Sequence, residues 1–239
     1  MTSIKLLSIT LFSALISLSS IVQAAQSGNN KQTRTVSKFH GISVSSGVDL
    51  YLTQKNIQEV RVEANEEGLK NLVTEVQGGI LKIYMKDKSW SNLNWKDQSI
   101  KVYVSFITLD KLQASAGSDI ASESVLNFEK LEVDASSGSD VKLELNASDI
   151  SVESSSGSDI RLKGKAASLH VSASSGSDIN AADLQSKRCQ ASVSSGSDIK
   201  INVTEELDAH ASSGGDISYS GNPAKKEIKK SSGGDVHSR

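Results

Sequence analysis

The stretch Ser155-Ser156-Gly157-Ser158-Asp159-Ile160, SSGSDI, returns unchanged at residues 174–179 and 194–199. Looser copies end at Ile120, Val141, Ile217 and Val236. Gly117, Gly138, Gly157, Gly176, Gly196, Gly214 and Gly233 align the copies. Their period is near 19, and such a period marks a stack of like units. The columns around the glycines show what kind. Three places after each glycine stand Ile120, Val141, Ile160, Ile179, Ile199, Ile217 and Val236; two places further stand Leu143, Leu162, Ala181, Ile201 and Tyr219. Five places before stand Leu112, Val133, Val152, Val171, Ala191, Ala209 and Ile228; seven before, Leu131, Ile150, Leu169, Cys189 and Leu207. Three before, the residues are mostly small: Ala114, Ala135, Ser154, Ala173, Val193 and Ala211.

The positions between these columns are polar. An apolar–polar alternation of period two is the pattern of strands with one face inside. Each repeat is therefore expected to hold two short strands, one on either side of the Ser-Gly bend, with room for a third. If one repeat makes one coil, equivalent strands pair in parallel about 4.8 Å apart and like residues lie over like. That predicts an all-β fold, a parallel β-helix or β-solenoid with coils of about 19 residues. Seven such coils span roughly 30–35 Å. A meander of antiparallel hairpins would leave the matched columns unexplained, and the Asn-Gly signals of two-residue hairpins are missing.

The rest of the chain is assigned outward from this repeat. Residues 112–239 are the regular coils, and 35–111 are a less regular capping half of the same domain. In that half GISVSSGVDLYLTQ (41–54) is a diverged copy, with Gly47, Asp49, Leu50 and Leu52 on the repeat positions. EVRVEAN, GILKIYMK and SIKVYVSF alternate as strands, EEGLKNLVTEV reads as a short helix or turn, and MKDKSWSNLNWKDQS (85–99) reads as a loop. Lysines in KKEIKK (225–230) stand where earlier coils are apolar, as expected for a charged strand that protects an open edge.

Residues 1–24 read as a signal peptide: Lys5, an apolar run from Leu6 to Ile21, and Val22-Gln23-Ala24 before a cut. The run is short and serine-interrupted for a membrane span. A flexible segment over 25–34 follows. Export predicts a protein of the periplasm, cell surface or medium. The one cysteine, Cys189, permits no internal disulfide and falls in an apolar column. A net charge of −2 makes no electrostatic case for nucleic acid. The Asn146 and Asn202 sequons are read as accidental matches.

The order of elements, from FHGISVSSGVDLYLTQ through VRVEANEEGLKNLVTEVQGGILKIYMK to the SxGSDI coils, resembles the family described as the "putative auto-transporter adhesin, head GIN domain", over about residues 35–236. The resemblance implies a β-helix in or outside the bacterial envelope and carries over no catalytic residue.

One polar column invites a chemical reading. Asp119, Asp140, Asp159, Asp178, Asp198, Asp216 and Asp235 lie in line if the coils stack. Such a row could hold calcium, as denser Gly/Asp repeats do. A single aspartate per coil, flanked by serines, fits a turn device better, with carboxylates and hydroxyls accepting backbone N–H groups at the bend. Trp90 and Trp95 are candidates to stack on sugar rings, although covering the end of the core explains them as well. His40, His170, His210 and His237 are scattered, and no G-x-S-x-G elbow or zinc spacing occurs. The expected function is therefore non-enzymatic: an exported envelope protein with an adhesin-like or scaffolding role, meeting a glycan or another envelope protein, with self-association as a further possibility. The alternative is a β-helical enzyme acting on polysaccharide, which needs convergent acidic or basic side chains in a cleft.

Overall fold

A computed structural model describes residues 30–86 and 99–239. The signal peptide read over 1–24 lies outside the described residues, as do Trp90, Trp95 and most of the loop read around them. The regular half is an uninterrupted stack of parallel strands: β10 (Leu126–Ala135), β11 (Asp140–Ser155), β12 (Asp159–Ser174), β13 (Asp178–Val193) and β14 (Asp198–Ala211), followed by the shorter β15 (Asp216–Ser220), β16 (Lys225–Lys230) and β17 (Asp235–Ser238). Around each bend the registers match the sequence columns, Val141 with Ile160, Ile160 with Ile179, Ile179 with Ile199, and they shift farther along, after Arg161 and Ala181. The expected β-solenoid is the observed fold. β16, the lysine-rich strand, is exposed throughout.

Three features differ from expectation. The strands are not two short pieces per repeat; β11, β12 and β13 each run 16 residues from one bend to the next. Backbone pairing continues through a short third side, skipping only Ser148 and Ala167 between β11 and β12. Asn30–Arg34, expected within the flexible segment 25–34, forms strand β1.

The largest difference lies in threading. β2 (Gly41–Val44) and β3 (Asp49–Gln54) make a coil that pairs with β8 (Lys111–Ala114) and β9 (Asp119–Ser122), although five other elements intervene along the chain. These are β4 (Glu59–Ala64), helix α1 (Glu66–Asn71), β5 (Leu72–Gln77), β6 (Ile80–Met85) and β7 (Lys101–Phe106). β6 and β7 stack on the far side of β2 and β3, in parallel. The order in space is thus β6/β7, β2/β3, β8/β9, then the regular coils. Antiparallel strands close this end: β4 covers the edge of β7, β1 covers β4, and β5 covers β6. α1 is short and held at its start by Asn65, whose Oδ1 accepts the Gly68 N–H at 2.7 Å.

The core is one file of small aliphatic side chains. Leu131, Ile150, Leu169, Cys189 and Leu207 are all at most 2% exposed, so Cys189 packs as a hydrophobe. Burial pushes its thiol up to about 12.

The bend explains the repeat. Each carries two successive residues of positive φ, Ser137 (56°) with Gly138 (71°) and Ser156 (56°) with Gly157 (69°) among them. That is the type I′ pattern, which tolerates glycine freely and strains other residues. The serine after the glycine offsets part of the strain. Ser158 is fully buried, and its hydroxyl lies 2.7 Å from the Ser155 carbonyl, 2.9 Å from the Ala135 carbonyl of the neighbouring coil and 3.2 Å from the Ser155 N–H that it accepts. Ser139 and Ser177 repeat the arrangement. The small column three places before the glycine gives each of these serines its room, since Ser158 sits over Ala135 and Ser177 over Ser154.

Candidate binding face

The wall that follows the bend carries the chemistry. Its strands are β4, β7, β3, β9 and then the starts of β11 to β14, β15 and β17 in spatial order. Side chains of alternate residues point outward, so each outward column runs across all of them.

The aspartates do stand in one column. Asp119, Asp140, Asp159, Asp178, Asp198, Asp216 and Asp235 pair in unbroken register, and Asp49 precedes Asp119 as an eighth member. The turn-closing role expected of carboxylates and hydroxyls together falls to the buried serines. The aspartates stand outside, at most accepting a neighbouring coil's N–H, as Asp119 does from Asp140 at 3.3 Å and Asp178 from Asp198 at 3.2 Å. Mutual repulsion is offset by basic side chains two residues on: Lys142 lies 3.5 Å from Asp140, and Arg161 lies 3.2 Å from Asp159. At the last coil Lys230 and His237 flank Asp235 at 2.6 and 3.1 Å and hold its carboxyl below the usual range, Lys230 foremost. Among the described residues, no three His, Cys, Asp or Glu side chains are gathered as a metal cage.

Asp119 has no such partner: two residues on stands Ala121, as Asn180 and Ser218 follow Asp178 and Asp216. The Asp119 carboxyl is pushed up, first by burial and then by the neighbouring Asp140. Ala121 also interrupts an aromatic stack on the next outward column. That column reads Arg61, Tyr103, Tyr51, Ala121, Lys142, Arg161 from strand to strand. The Arg61 guanidinium lies 4.8 Å over the Tyr103 ring, and Tyr103 stacks on Tyr51 with centroids 5.1 Å apart and planes 19° apart. Burial and then Asp49 push the Tyr51 hydroxyl up. At Ala121 the stack opens into a cavity of about 180 Å³, lined by Asp49, Tyr51, Asp119, Ala121, Asp140 and Lys142 with Leu50 and Ile120 as floor.

Reading along the chain finds the aspartate column but not this stack. Tyr51 and Tyr103 are distant along the chain, and only the threading of β3 beside β7 brings them together. Other polar groups stay separate. His40 pairs with Asp110 at 2.8 Å, His210 with Asp208 at 3.0 Å and His237 with Asp235 at 3.1 Å, on different coils. Ser118, Ser139, Ser158, Ser177 and Ser197 are fully buried, so none of these repeat serines is accessible as a nucleophile.

The family model of the "putative auto-transporter adhesin, head GIN domain" matches residues 38–223. The chain belongs to this family. Solved structures share the fold. A putative adhesin from Bacteroides fragilis NCTC 9343 superposes with a TM-score of 0.80 at 21% identity, covering 89% of this chain and 98% of its own. A protein from Parabacteroides distasonis ATCC 8503 described as a putative lipid binding protein gives 0.69 at 21% identity, covering 90% and 98%. A putative adhesin from Parabacteroides merdae ATCC 43184 gives 0.66 at 18% identity, covering 90% and 97%. No curated protein matches the chain. The family's description supports an adhesin-like protein, and the neighbours share its fold. No helix among the described residues is long and apolar enough to cross a membrane.

Proposed function

We propose that the chain is exported to the cell envelope or beyond and serves there as a binding module, presenting the wall after the bend to a glycan or an envelope protein. The observation that carries this reading is the wall itself. In-register pairing lines up its outward polar side chains from coil to coil, and on its first coils it presents a stacked aromatic pair, Tyr103–Tyr51, with a cavity beside it. Rigid aromatic area next to polar groups is the composition of recognition surfaces. The lipid description of one neighbour finds less support here. The core is filled by packed aliphatic side chains, and the cavities on this wall, at Ala121 and between Lys142 and Asp183, are rimmed by charged groups.

The test uses the full chain and a chain lacking residues 1–24, each produced in a bacterial host. The full chain is expected outside the cytoplasm, shortened by about 24 residues by mass, while the truncated chain stays inside. Purified protein is then sedimented with an isolated bacterial envelope fraction. Co-sedimentation that periodate treatment abolishes identifies a glycan partner, and loss on protease treatment identifies a protein. Cytoplasmic retention of both chains, or no co-sedimentation with any fraction, overturns the reading.

A further inference from the structure

The cavity at Ala121 has the chemistry of a sugar subsite, and we propose that it binds one neutral pyranose ring of a glycan. The proposal rests on the binding-module reading above and names the ligand class for its most distinctive feature. Stacked planar groups fill this column from Arg61 through Tyr103 to Tyr51. Tyr103 covers one face of the Tyr51 ring, so the other faces the Ala121 strand. Tyr51 and Lys142 stand two strands apart on either side of Ala121, about 9.6 Å by strand spacing. That gap admits one ring in stacking contact with Tyr51, with Lys142 on its far side. A cavity of about 180 Å³ lies below the roughly 300–1,000 Å³ of drug-sized pockets, which suits a single ring.

The polar groups select among rings. Asp49, Asp119 and Asp140 line one side, and ionised carboxylates only accept hydrogen bonds. They call for a ligand with several donors, which a pyranose supplies through its hydroxyls while its C–H face lies on the tyrosine. The Asp119 carboxyl, pushed up by burial and by Asp140, gains from a donor. An anionic sugar is repelled by three carboxylates. A guanidinium would satisfy the tyrosine face and the acids but, having no acceptor, would leave the Lys142 ammonium one strand spacing away without one. Lys142 donates instead to a ring or hydroxyl oxygen. A neutral sugar meets every group in the cavity.

The test follows the Ala121 methyl signal by NMR in the full chain labelled at alanine methyls, during titration with glucose, galactose, mannose and N-acetylglucosamine, and separately with arginine methyl ester. At least one sugar is expected to shift the Ala121 signal saturably, with Kd on the order of 1–10 mM. Ala121→Tyr continues the stack into the cavity and suits a strand, so it should keep the wild-type melting temperature and weaken sugar binding at least tenfold, read from the Ile120 methyl in a chain labelled at isoleucine as well. Tyr51→Ala should weaken it similarly, and Tyr51→Phe should leave it within about twofold because the ring face is kept. Absence of a saturable shift with all four sugars, undiminished binding in Ala121→Tyr, or response to arginine methyl ester alone overturns the proposal. Envelope binding that survives Ala121→Tyr intact overturns the subsite and leaves the binding-module reading standing; sugar binding without envelope binding does the reverse.

Discussion

Two columns flank every bend, one residue apart, and they meet opposite fates. The serine after the glycine is fully buried and bonded to its own turn and to the next coil. The aspartate after it lies outside and leans on a basic neighbour where one exists. The aspartate stands at all eight bends and the serine at five, so fidelity of repetition does not by itself tell structure from function. Repetition reports stacking; burial decides which stacked residue the fold depends on. The aspartates are free to carry chemistry because the serines already close the turn.

The sharpest way to break the comparison is to mutate both members of one bend. Ser158→Ala removes a buried hydroxyl that accepts the Ser155 N–H and donates to one of two nearby carbonyls, and is expected to cost about 2 kcal/mol. Asp159→Asn, one residue on, removes an exposed ion pair and should cost at most about 0.5 kcal/mol. Denaturant midpoints compare the two, and equal losses would contradict the division of labour.

A second experiment probes why the serine column ends. The last two coils have Gly215 and Gly234 in its place. A Cβ on Gly215 would lie 3.0 Å from Cγ1 of Val193, which stands where earlier coils have Ala or Ser, and 3.0 Å from the Ser194 backbone nitrogen. Gly215→Ser should therefore cost about 2 kcal/mol from overpacking, and Val193→Ala in the same chain should recover the side-chain part of that loss. A double-mutant cycle with no coupling would refute the exchange of volume between the columns.

Smaller effects belong to the aspartates. The Asp119 carboxyl is raised in the folded protein, so the folded state holds its proton more tightly than the unfolded chain does. Its contribution to stability is complete below the ordinary carboxylate range and is lost as pH rises through the raised value. Asp119→Asn is thus expected to stabilise slightly at pH 7, by a few tenths of a kcal/mol after screening, with the gain vanishing on acidification. Destabilisation at neutral pH would mean the charge is used. The smallest expected change is with calcium: because Lys142 and Arg161 already neutralise Asp140 and Asp159, calcium against chelator should move the melting temperature by no more than about 2 °C. A large rise would assign the ladder a cation, since a ligand that binds only the folded state must stabilise it.

Legibility follows the same division. From Gly117 onward the coils stack in chain order, so every apolar column read along the sequence becomes a file in the core, and the aspartate row is found with it. In the first half the coil of β2 and β3 is inserted between β6/β7 and β8/β9. GISVSSGVDLYLTQ is recognisable as a copy, but neither its neighbours nor the strand formed by Asn30–Arg34 can be read from the pattern. The candidate site depends on that insertion, which sets Tyr51 between Tyr103 and Ala121.

The sequence by itself determined the β-solenoid, its period and the inward and outward columns, because a strand's alternation and a coil's repeat are local properties that stacking only multiplies. The tertiary structure alone decided which polar column is buried and which side chains meet across the first coils. Burial of the serine depends on a left-handed turn folding its hydroxyl back under the next coil, and the tyrosine stack depends on strands that are distant along the chain and adjacent only in space.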